Sequence, residues 1–194
     1  MRVSYEPYSI FRRNVTYYIL TINAPLQPRD RWAVLEYPIN FCLKRSHLGA
    51  VTGGGTALLE RGGIKNCDIE IRLKNKPNAL PDLLSLLKII RFPKGSILYH
   101  NQEVIAEVGH LEGMEVRING TDLPNEVYAA YDINNVISEL ESLLGEAGRR
   151  FSSLEAAHTY LYFYGESYEQ MKSLIMPYVN EHPLFEKCEI KQLV

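Results

Sequence analysis

A run of three glycines and a threonine is the stretch of this chain that comes closest to a phosphate-binding motif. It consists of Gly53, Gly54, Gly55 and Thr56. A P-loop needs a lysine before its Ser or Thr and a helix after it, so that backbone N–H groups and an ammonium reach the phosphates. Here no lysine is present, and the segment runs on into a Gly62–Gly63 turn. Because glycines within a strand usually mark a bulge or a close backbone approach, we interpret the three glycines as a structural bend.

Two carboxylates follow the glycines on an alternating segment. Asp68 and Glu70 are separated by Ile69, which places both carboxylates on one face of a strand, about 7 Å apart. Paired carboxylates can perform acid–base chemistry, and with Thr56 and His47 they could line a small-ligand or enzyme site near the glycines. The alternative is the solvated outer face of a half-buried strand.

Motifs for metal binding or nucleophilic catalysis are not found. The five histidines form no i, i+4 pair on a predicted helix, and there is no Cys-x-x-Cys. Neither a Gly-x-Ser-x-Gly elbow nor a catalytic cysteine signature is present. The three cysteines are widely spaced, so reduced thiols are expected rather than disulfides. We therefore expect no catalytic residue, metal or cofactor.

Three tyrosines alternate along one predicted strand in the second half of the chain. Tyr160, Tyr162 and Tyr164 share one face, while Leu161 and Phe163 take the other. Tyrosine is enriched at protein–protein hot spots and also stacks on nucleobases. The alternative is a strand covered on both faces, in which each hydroxyl finds a partner. We predict a partner-binding platform made of these tyrosines, together with Asp68 and Glu70.

The elements predicted for residues 1–110 follow the order β-α-β-β-α-β, which is the arrangement of ferredoxin-like folds. The predicted strands and helices of this half are a strand at Val15–Asn23, a short helix at Arg29–Tyr37 that Pro38 ends, strand segments on both sides of the glycines, a strand at Cys67–Leu73, a helix at Ala79–Ile90 capped by Asn78, and a hairpin of Ser96–Tyr99 and Glu103–Val108. The apolar residues of Ala79–Ile90 leave only a narrow polar stripe, which predicts a largely buried helix.

Residues 111–194 are predicted to form a second α/β half, so the whole chain belongs to the α+β class. The elements expected here are strands at Met114–Ile118, Val127–Ala130, Thr159–Tyr164 and Glu186–Leu193, a loop at Gly148–Ser153, and helices at Ile133–Leu144 and from Ser167 to about Asn180. This half either repeats the first ferredoxin-like unit or extends the same sheet.

Charge divides unevenly between the two halves. Residues 1–110 carry 15 Lys and Arg against 9 Asp and Glu, whereas residues 111–194 carry 6 against 14. The acidic half would attract a basic partner and repel phosphate, which makes nucleic-acid binding an unlikely function. Two alternatives stay open. The halves could neutralise each other, or the basic half could bind nucleic acid through Arg12, Arg13, Lys44, Arg45 and Arg72.

In general character the chain resembles bacterial immunity proteins of contact-dependent and polymorphic toxin systems. Those are small, cytosolic, often acidic α/β proteins without catalytic motifs. The resemblance implies a cytoplasmic, non-enzymatic protein-binding module that neutralises a cognate toxin, with a basic toxin domain as its partner. Neither a signal peptide nor an apolar run of membrane-spanning length is visible in the sequence, so no membrane association is expected.

Overall fold

The computed structural model describes residues 14–60 and 63–194, and residues 14–107 form a five-stranded sheet with helices on one face. Its elements in chain order are β1 (Val15–Ile22), α1 (Pro28–Arg31), a π-helical turn (Trp32–Glu36), α2 (Tyr37–Arg45), β2 (Gly49–Leu58), β3 (Ile64–Lys74), α3 (Ala79–Ile90), β4 (Phe92–Pro93), β5 (Ile97–His100) and β6 (Glu103–Glu107). The strand order is β2-β3-β1-β5-β6, and all neighbours are antiparallel. Apart from the additional strand β6, this is the sheet of a βαββαβ ferredoxin-like unit, which confirms the predicted fold.

The remaining residues form a second sheet with the same connectivity. Its elements are β7 (Gly109–Asn119), α4 (Asn125–Ala130), α5 (Ile133–Leu144), β8 (Gly148–Glu155), β9 (His158–Gly165), α6 (Tyr168–Glu181), a 3-10 turn (Pro183–Phe185) and β10 (Glu189–Gln192). The strand order β10-β7-β9-β8 again places the first strand of the unit between the last and the third. The second half therefore repeats the ferredoxin-like unit and does not extend the first sheet.

Two predicted elements of the second half are wrong. Val127–Ala130, expected as a strand, lies in the short helix α4, which begins directly after Pro124. Gly148–Ser153, expected as a loop, lies in β8, which is an edge strand paired only with β9. One side of an edge strand meets solvent, so β8 tolerates Arg149 and Arg150 and lacks the apolar alternation by which a strand is recognised.

The first helical segment is longer than predicted because it continues through Pro38. Helices α1 and α2 are joined by the π-helical turn, in which the Tyr37 N–H donates to the Trp32 carbonyl. A proline inside an α-helix lacks one donor, and its ring clashes with the carbonyl four residues earlier. The wider π turn directly before Pro38 relieves that clash, so the helix runs on to Arg45.

Helix α3 has the predicted bounds but not the predicted cap or burial. Asn78 makes no side-chain hydrogen bond to the helix N-terminus. Leu83 and Leu87 are buried, whereas Ile89 is largely exposed. The apolar residues of this helix therefore extend beyond the side that packs on the sheet.

The three glycines lie within β2, as the structural interpretation expected. The pairing of β2 with β3 shifts register between Val51 and Gly53, which identifies a β-bulge. A Cβ atom at Gly54 would stand 2.6 Å from the Asp68 carbonyl oxygen and 3.1 Å from Arg31 Nη2. Gly54 therefore permits a close approach between β2, β3 and the helix above them.

The two halves meet where one face of the second sheet, which carries Tyr162 and Tyr164 of β9, packs on one end of the first core. Phe151, Tyr162 and Tyr164 belong to the same hydrophobic cluster as Leu26 and Cys67 of the first half. On the opposite face of the second sheet, helices α5 and α6 enclose a separate cluster. The second unit thus buries both faces of its sheet, one under its own helices and one under the first unit.

Polar contacts surround this apolar contact between the halves. Ser152 Oγ accepts from the Gln27 N–H at 3.1 Å and donates to Asp30 Oδ2 at 2.6 Å. Lys94 Nζ donates to Glu112 Oε1 at 2.6 Å, while the Tyr168 N–H donates to Glu112 Oε2 at 2.7 Å. Strand β4 also pairs with β7 in parallel, so the backbone connects the halves directly.

The close approach at Gly54 yields a matched pair of substitutions. Gly54→Ala is expected to lower the free energy of unfolding by about 1–3 kcal/mol, because the added methyl group forces the backbone apart. Gly55→Ala is the control, since its Cβ would meet nothing nearer than Asp68 Oδ2 at 4.0 Å. The control is expected to be neutral or stabilising by up to about 1 kcal/mol. Urea denaturation measures both, and equal losses in the two variants would contradict the account.

Glu112 yields a prediction about pH. The hydrogen bond from Lys94, followed by that from the Tyr168 N–H, holds the pKa of the Glu112 carboxyl below its ordinary value. A depressed folded pKa stabilises the fold above the unfolded pKa, and this contribution is lost as the pH falls through the folded pKa. Glu112→Gln should therefore lower the thermal midpoint at pH 7 and have a shrinking effect as the solution is acidified into that range.

The control for this titration is Glu103→Gln, a change at an exposed glutamate of β6. It should leave the thermal midpoint close to that of the wild type from pH 7 down to pH 3. A Glu112→Gln deficit that stays constant over the same pH range would show that the Glu112 charge does not hold the halves together.

Candidate functional site

The glycine–threonine stretch is occupied by contacts within the protein. Arg31 Nη1 donates to the Gly55 carbonyl oxygen at 2.5 Å and to Thr56 Oγ1 at 3.0 Å. Arg31 Nε in turn donates to Glu36 Oε1, also at 2.5 Å. These contacts hold the helical segment against the edge strand β2.

The residues suggested for a small-ligand site are not brought together. His47 is exposed in the turn before β2, near Lys76, whose Nζ donates to the His47 carbonyl at 3.2 Å. Asp68 pairs with Gly55 near the other end of β2, and Thr56 faces Arg31 on the helix side of the sheet. Of the four residues His47, Thr56, Asp68 and Glu70, only Asp68 and Glu70 lie on the same surface.

Cys67 lies beside this cluster as a buried thiol. Burial raises its pKa to about 12, while the nearby Arg31 charge acts in the opposite direction. At neutral pH the side chain is therefore a protonated, unreactive member of the core. Cys42, Cys67 and Cys188 are all free of disulfide bonds.

Asp68 and Glu70 lie on the face of the first sheet opposite the one that its helices cover. Register pairs Asp68 with Thr21 and Glu70 with Ile19. Thr21 Oγ1 donates to Asp68 Oδ1 at 2.6 Å, which orients that carboxylate, while the Glu70 side chain is exposed. The buried partners Ile69 and Ile71 point to the opposite, helix-covered face.

Apolar side chains accompany these carboxylates on the same face, which we call the open face. Ile19 pairs with Tyr99 of β5, and Tyr99 pairs with Val104 of β6. Tyr17 continues the row along β1 opposite Arg72. Tyr17 is 53% exposed and Ile19 46% exposed, so the centre of this face consists of accessible apolar surface.

Tyr17 and Ile19 could not be recognised as surface residues from the sequence alone. Apolar side chains occupy both faces of β1, with Tyr18, Leu20 and Ile22 buried beneath the helices. A strand that is apolar on both faces normally lies between two covering layers. The one indication of an exposed face came from the neighbouring strand β3, in which acidic and basic residues alternate with isoleucines.

The contact between the halves buries two of the three tyrosines that were predicted to form a partner-binding platform. Tyr162 is 7% exposed and Tyr164 2% exposed, and both pack in the core that joins the two units. Burial raises the pKa of Tyr162 to about 12 and that of Tyr164 still further. These two tyrosines therefore offer no surface to a partner arriving from solvent, whereas Tyr160 stays partly exposed.

Several observations bear on ligands and on nucleic acid. Within residues 14–60 and 63–194, no group of three or more His, Cys, Asp or Glu side chains is arranged to hold a metal ion.

Lys44 and Arg45 are exposed at the end of α2, and Arg72 is exposed on the open face, so these cations do not share one surface. Arg12, Arg13 and Gly62 lie outside the described residues.

A helix long and apolar enough to cross a membrane is not found among the residues that the structure describes.

Comparison with known proteins adds distant structural likeness only. No protein-family model matches the chain, and no curated protein matches its sequence. A Lactobacillus acidophilus protein provisionally assigned as a monooxygenase aligns with a TM-score of 0.32 and 12% identity over 94% of both chains. A structure provisionally assigned as a glycine cleavage system transcriptional repressor aligns with a TM-score of 0.31 and 7% identity over 92% of this chain and 97% of that one. Likeness at this level says nothing about activity.

Proposed function

We propose that this chain is a non-enzymatic protein-binding module that docks a basic protein on the open face of its first sheet. The biological role we propose is that of an immunity protein, whose partner is a toxin domain that it neutralises. The observation that carries the proposal is an accessible apolar row, Tyr17 and Ile19, bordered by the carboxylates of Asp68 and Glu70.

The apolar part of the open face supports protein docking. Tyr17, Ile19 and Val104 are each about half exposed or more, and the register of β1, β5 and β6 brings them onto one face, with Tyr99 of β5 between Ile19 and Val104. Contiguous exposed apolar surface rimmed by polar side chains is typical of protein–protein interaction sites. A partner that covers this face removes apolar area from water, which supplies the favourable term in most associations.

The charged part of the open face favours a basic partner. Glu107 pairs with Ile97 and joins Asp68 and Glu70 on this face, while the cations Arg72 and Lys74 follow Glu70 along β3. None of the three carboxylates forms an ion pair with another described residue. Carboxylates at the rim of an interface accelerate the approach of a cationic protein and select against anionic ones.

The acidic second half adds a longer-ranged attraction for the same class of partner. Residues 111–194 carry 6 Lys and Arg against 14 Asp and Glu, which gives this half a net charge of −8. Such an excess attracts a basic protein during diffusion without contacting it. The effect is screened beyond roughly 8 Å at physiological ionic strength, so association should slow as salt is added.

The test is a binding measurement with the C-terminal domain of the protein encoded directly upstream of this chain. Isothermal titration should give tight binding to the wild type. Ile19→Ala and Glu70→Gln should each weaken binding by about tenfold, which corresponds to about 1.4 kcal/mol. Added salt should weaken wild-type binding more than it weakens binding to Glu70→Gln, because the variant lacks one of the screened charges.

The controls use the same residue types on other surfaces. Ile89→Ala removes an exposed isoleucine from α3, and Glu139→Gln neutralises an exposed glutamate of α5. Ile89→Ala should bind the partner as the wild type does, and Glu139→Gln should differ from the wild type only by the small effect of removing one charge from the acidic half. The proposal is wrong if the upstream domain does not bind, or if it binds with equal strength to Ile19→Ala, Glu70→Gln and the two controls.

A further inference from the structure

Three aromatic side chains stand in a row on the outer side of the first helical segment, and we call them the aromatic row. Trp32 is 56% exposed, Tyr37 52% and Phe41 49%. The ring centroids of Trp32 and Tyr37 are 5.5 Å apart, and those of Tyr37 and Phe41 are 6.2 Å apart. The row is therefore a continuous aromatic surface rather than three isolated exposed rings.

The π-helical turn is what brings the first two rings together. In a regular α-helix, positions 32 and 37 would lie about 140° apart around the axis, because 3.6 residues make one turn. In a π turn the residues i and i+5 are hydrogen-bonded neighbours, and the Tyr37 N–H bonds the Trp32 carbonyl. Phe41 then follows Tyr37 at the ordinary i+4 spacing. Such turns are rare and frequently occur at functional sites.

The aromatic row is not the edge of a core. The same helical segment buries Leu35, Ile39 and Leu43 against the sheet, in the cluster that contains Ile69 and Ile71. The row faces away from that cluster and leaves the chain's only tryptophan half exposed. Tryptophan and tyrosine are the residue types most enriched among residues that dominate binding energy at protein interfaces.

The charges beside the row are cationic. A depression of about 390 Å³ is lined by Tyr37, Asn40, Phe41, Lys44 and Arg45. Lys44 and Arg45 are exposed, and neither forms an ion pair with another described residue.

The carboxylates nearest to the row in sequence are engaged elsewhere. Glu36 is bound by Arg31 on the inner side of the segment, and Asp30 accepts from Ser152 of the second half. The outer surface therefore offers aromatic rings followed by unpaired cations.

We propose that the aromatic row and the two cations beyond it form a docking site for an acidic protein segment, in which apolar side chains that cover Trp32, Tyr37 and Phe41 are followed by carboxylates that reach Lys44 and Arg45. The rings anchor the segment by burial, and the cations fix its direction along the helix. This site lies on the helix-covered side of the sheet, opposite the open face, and it does not depend on the function proposed above.

Single-stranded nucleic acid fits this surface less well. The three rings already contact one another, so no base can enter between them. Strands of nucleic acid are held by cations that follow the backbone past successive stacking rings. Here Lys44 and Arg45 stand together beyond Phe41, and the sequence from Trp32 to Phe41 contains no Lys or Arg that could hold a backbone past the rings.

The test begins with a random-peptide library displayed on phage, selected on the wild-type chain and depleted on a Trp32→Ala/Phe41→Ala double variant. The expected result is enrichment of peptides that combine large apolar side chains with Asp or Glu. A synthetic peptide from the enriched set should shift the fluorescence of Trp32, which is the only tryptophan. Phe41→Ala and the Lys44→Met/Arg45→Met pair should each weaken its binding by about tenfold, as expected for loss of an interface hot spot.

The matched control is Ile89→Ala, which removes an exposed apolar side chain from α3 and should bind the peptide as the wild type does. Circular dichroism and thermal midpoints establish that each variant is folded. Selection of basic peptides, or of none that depend on Trp32 and Phe41, would overturn the proposal. So would tighter binding of a single-stranded poly-U oligonucleotide through the same residues, or self-association of the wild type that the double variant abolishes.

Discussion

The structure depends on which faces of its two ferredoxin-like sheets are buried under helices or under the other unit. Each sheet has two faces, and the helices of its own unit can bury only one of them. The other face of the second sheet packs against the first unit, where Phe151, Tyr162 and Tyr164 belong to the first unit's hydrophobic core. Among the residues that the structure describes, none covers the other face of the first sheet in this way, and Tyr17 and Ile19 are accessible beside Asp68 and Glu70. Two units with one connectivity thus differ in whether the second face of the sheet is buried.

The cluster around Arg31 supports that arrangement from the helix side. Its guanidinium connects Glu36 at the end of the π turn with the Gly55 carbonyl and Thr56 hydroxyl of the edge strand. Gly54 provides the space for this contact, because a side chain there would meet the Asp68 carbonyl oxygen. Gly54 is therefore needed for packing. The same packing holds the π turn in place and so aligns Trp32 with Tyr37 on the outer surface.

Much of the fold follows from periodicity in the sequence. Strand β3 alternates isoleucine with charged residues, and α5 carries an Asp132 cap and a C-terminal Gly145, so both elements were predictable. The bounds of α5 match the prediction, whereas β3 runs from Ile64 to Lys74 rather than from Cys67 to Leu73. Strand β8 was not, because an edge strand with two adjacent arginines has no clear alternation. The continuation of the helix through Pro38 also escaped prediction, since a π turn has no signature of its own.

The candidate site was harder to predict because accessibility depends on contacts distant in sequence. Alternation correctly placed Tyr160, Tyr162 and Tyr164 on one face, but only the docking of the other unit decides that two of them are buried. Tyr17 and Ile19 were missed for the same reason, because the apolar pattern of β1 does not distinguish them from core residues. Asp68 and Glu70 were recognisable because charged side chains that alternate with buried isoleucines must face solvent or a partner.

Hydroxyl-radical footprinting of the chain, alone and with the domain encoded upstream of it, measures whether Tyr17 is accessible in the free chain and covered in the complex. Oxidation of each side chain, measured by mass spectrometry, reports its exposure to solvent. The account predicts that Tyr17 is oxidised in the free chain and protected in the complex, while Tyr162 and Tyr164 are protected in both. Oxidation of Tyr162 and Tyr164 in the free chain, or of Tyr17 to the same extent in the complex, would contradict it.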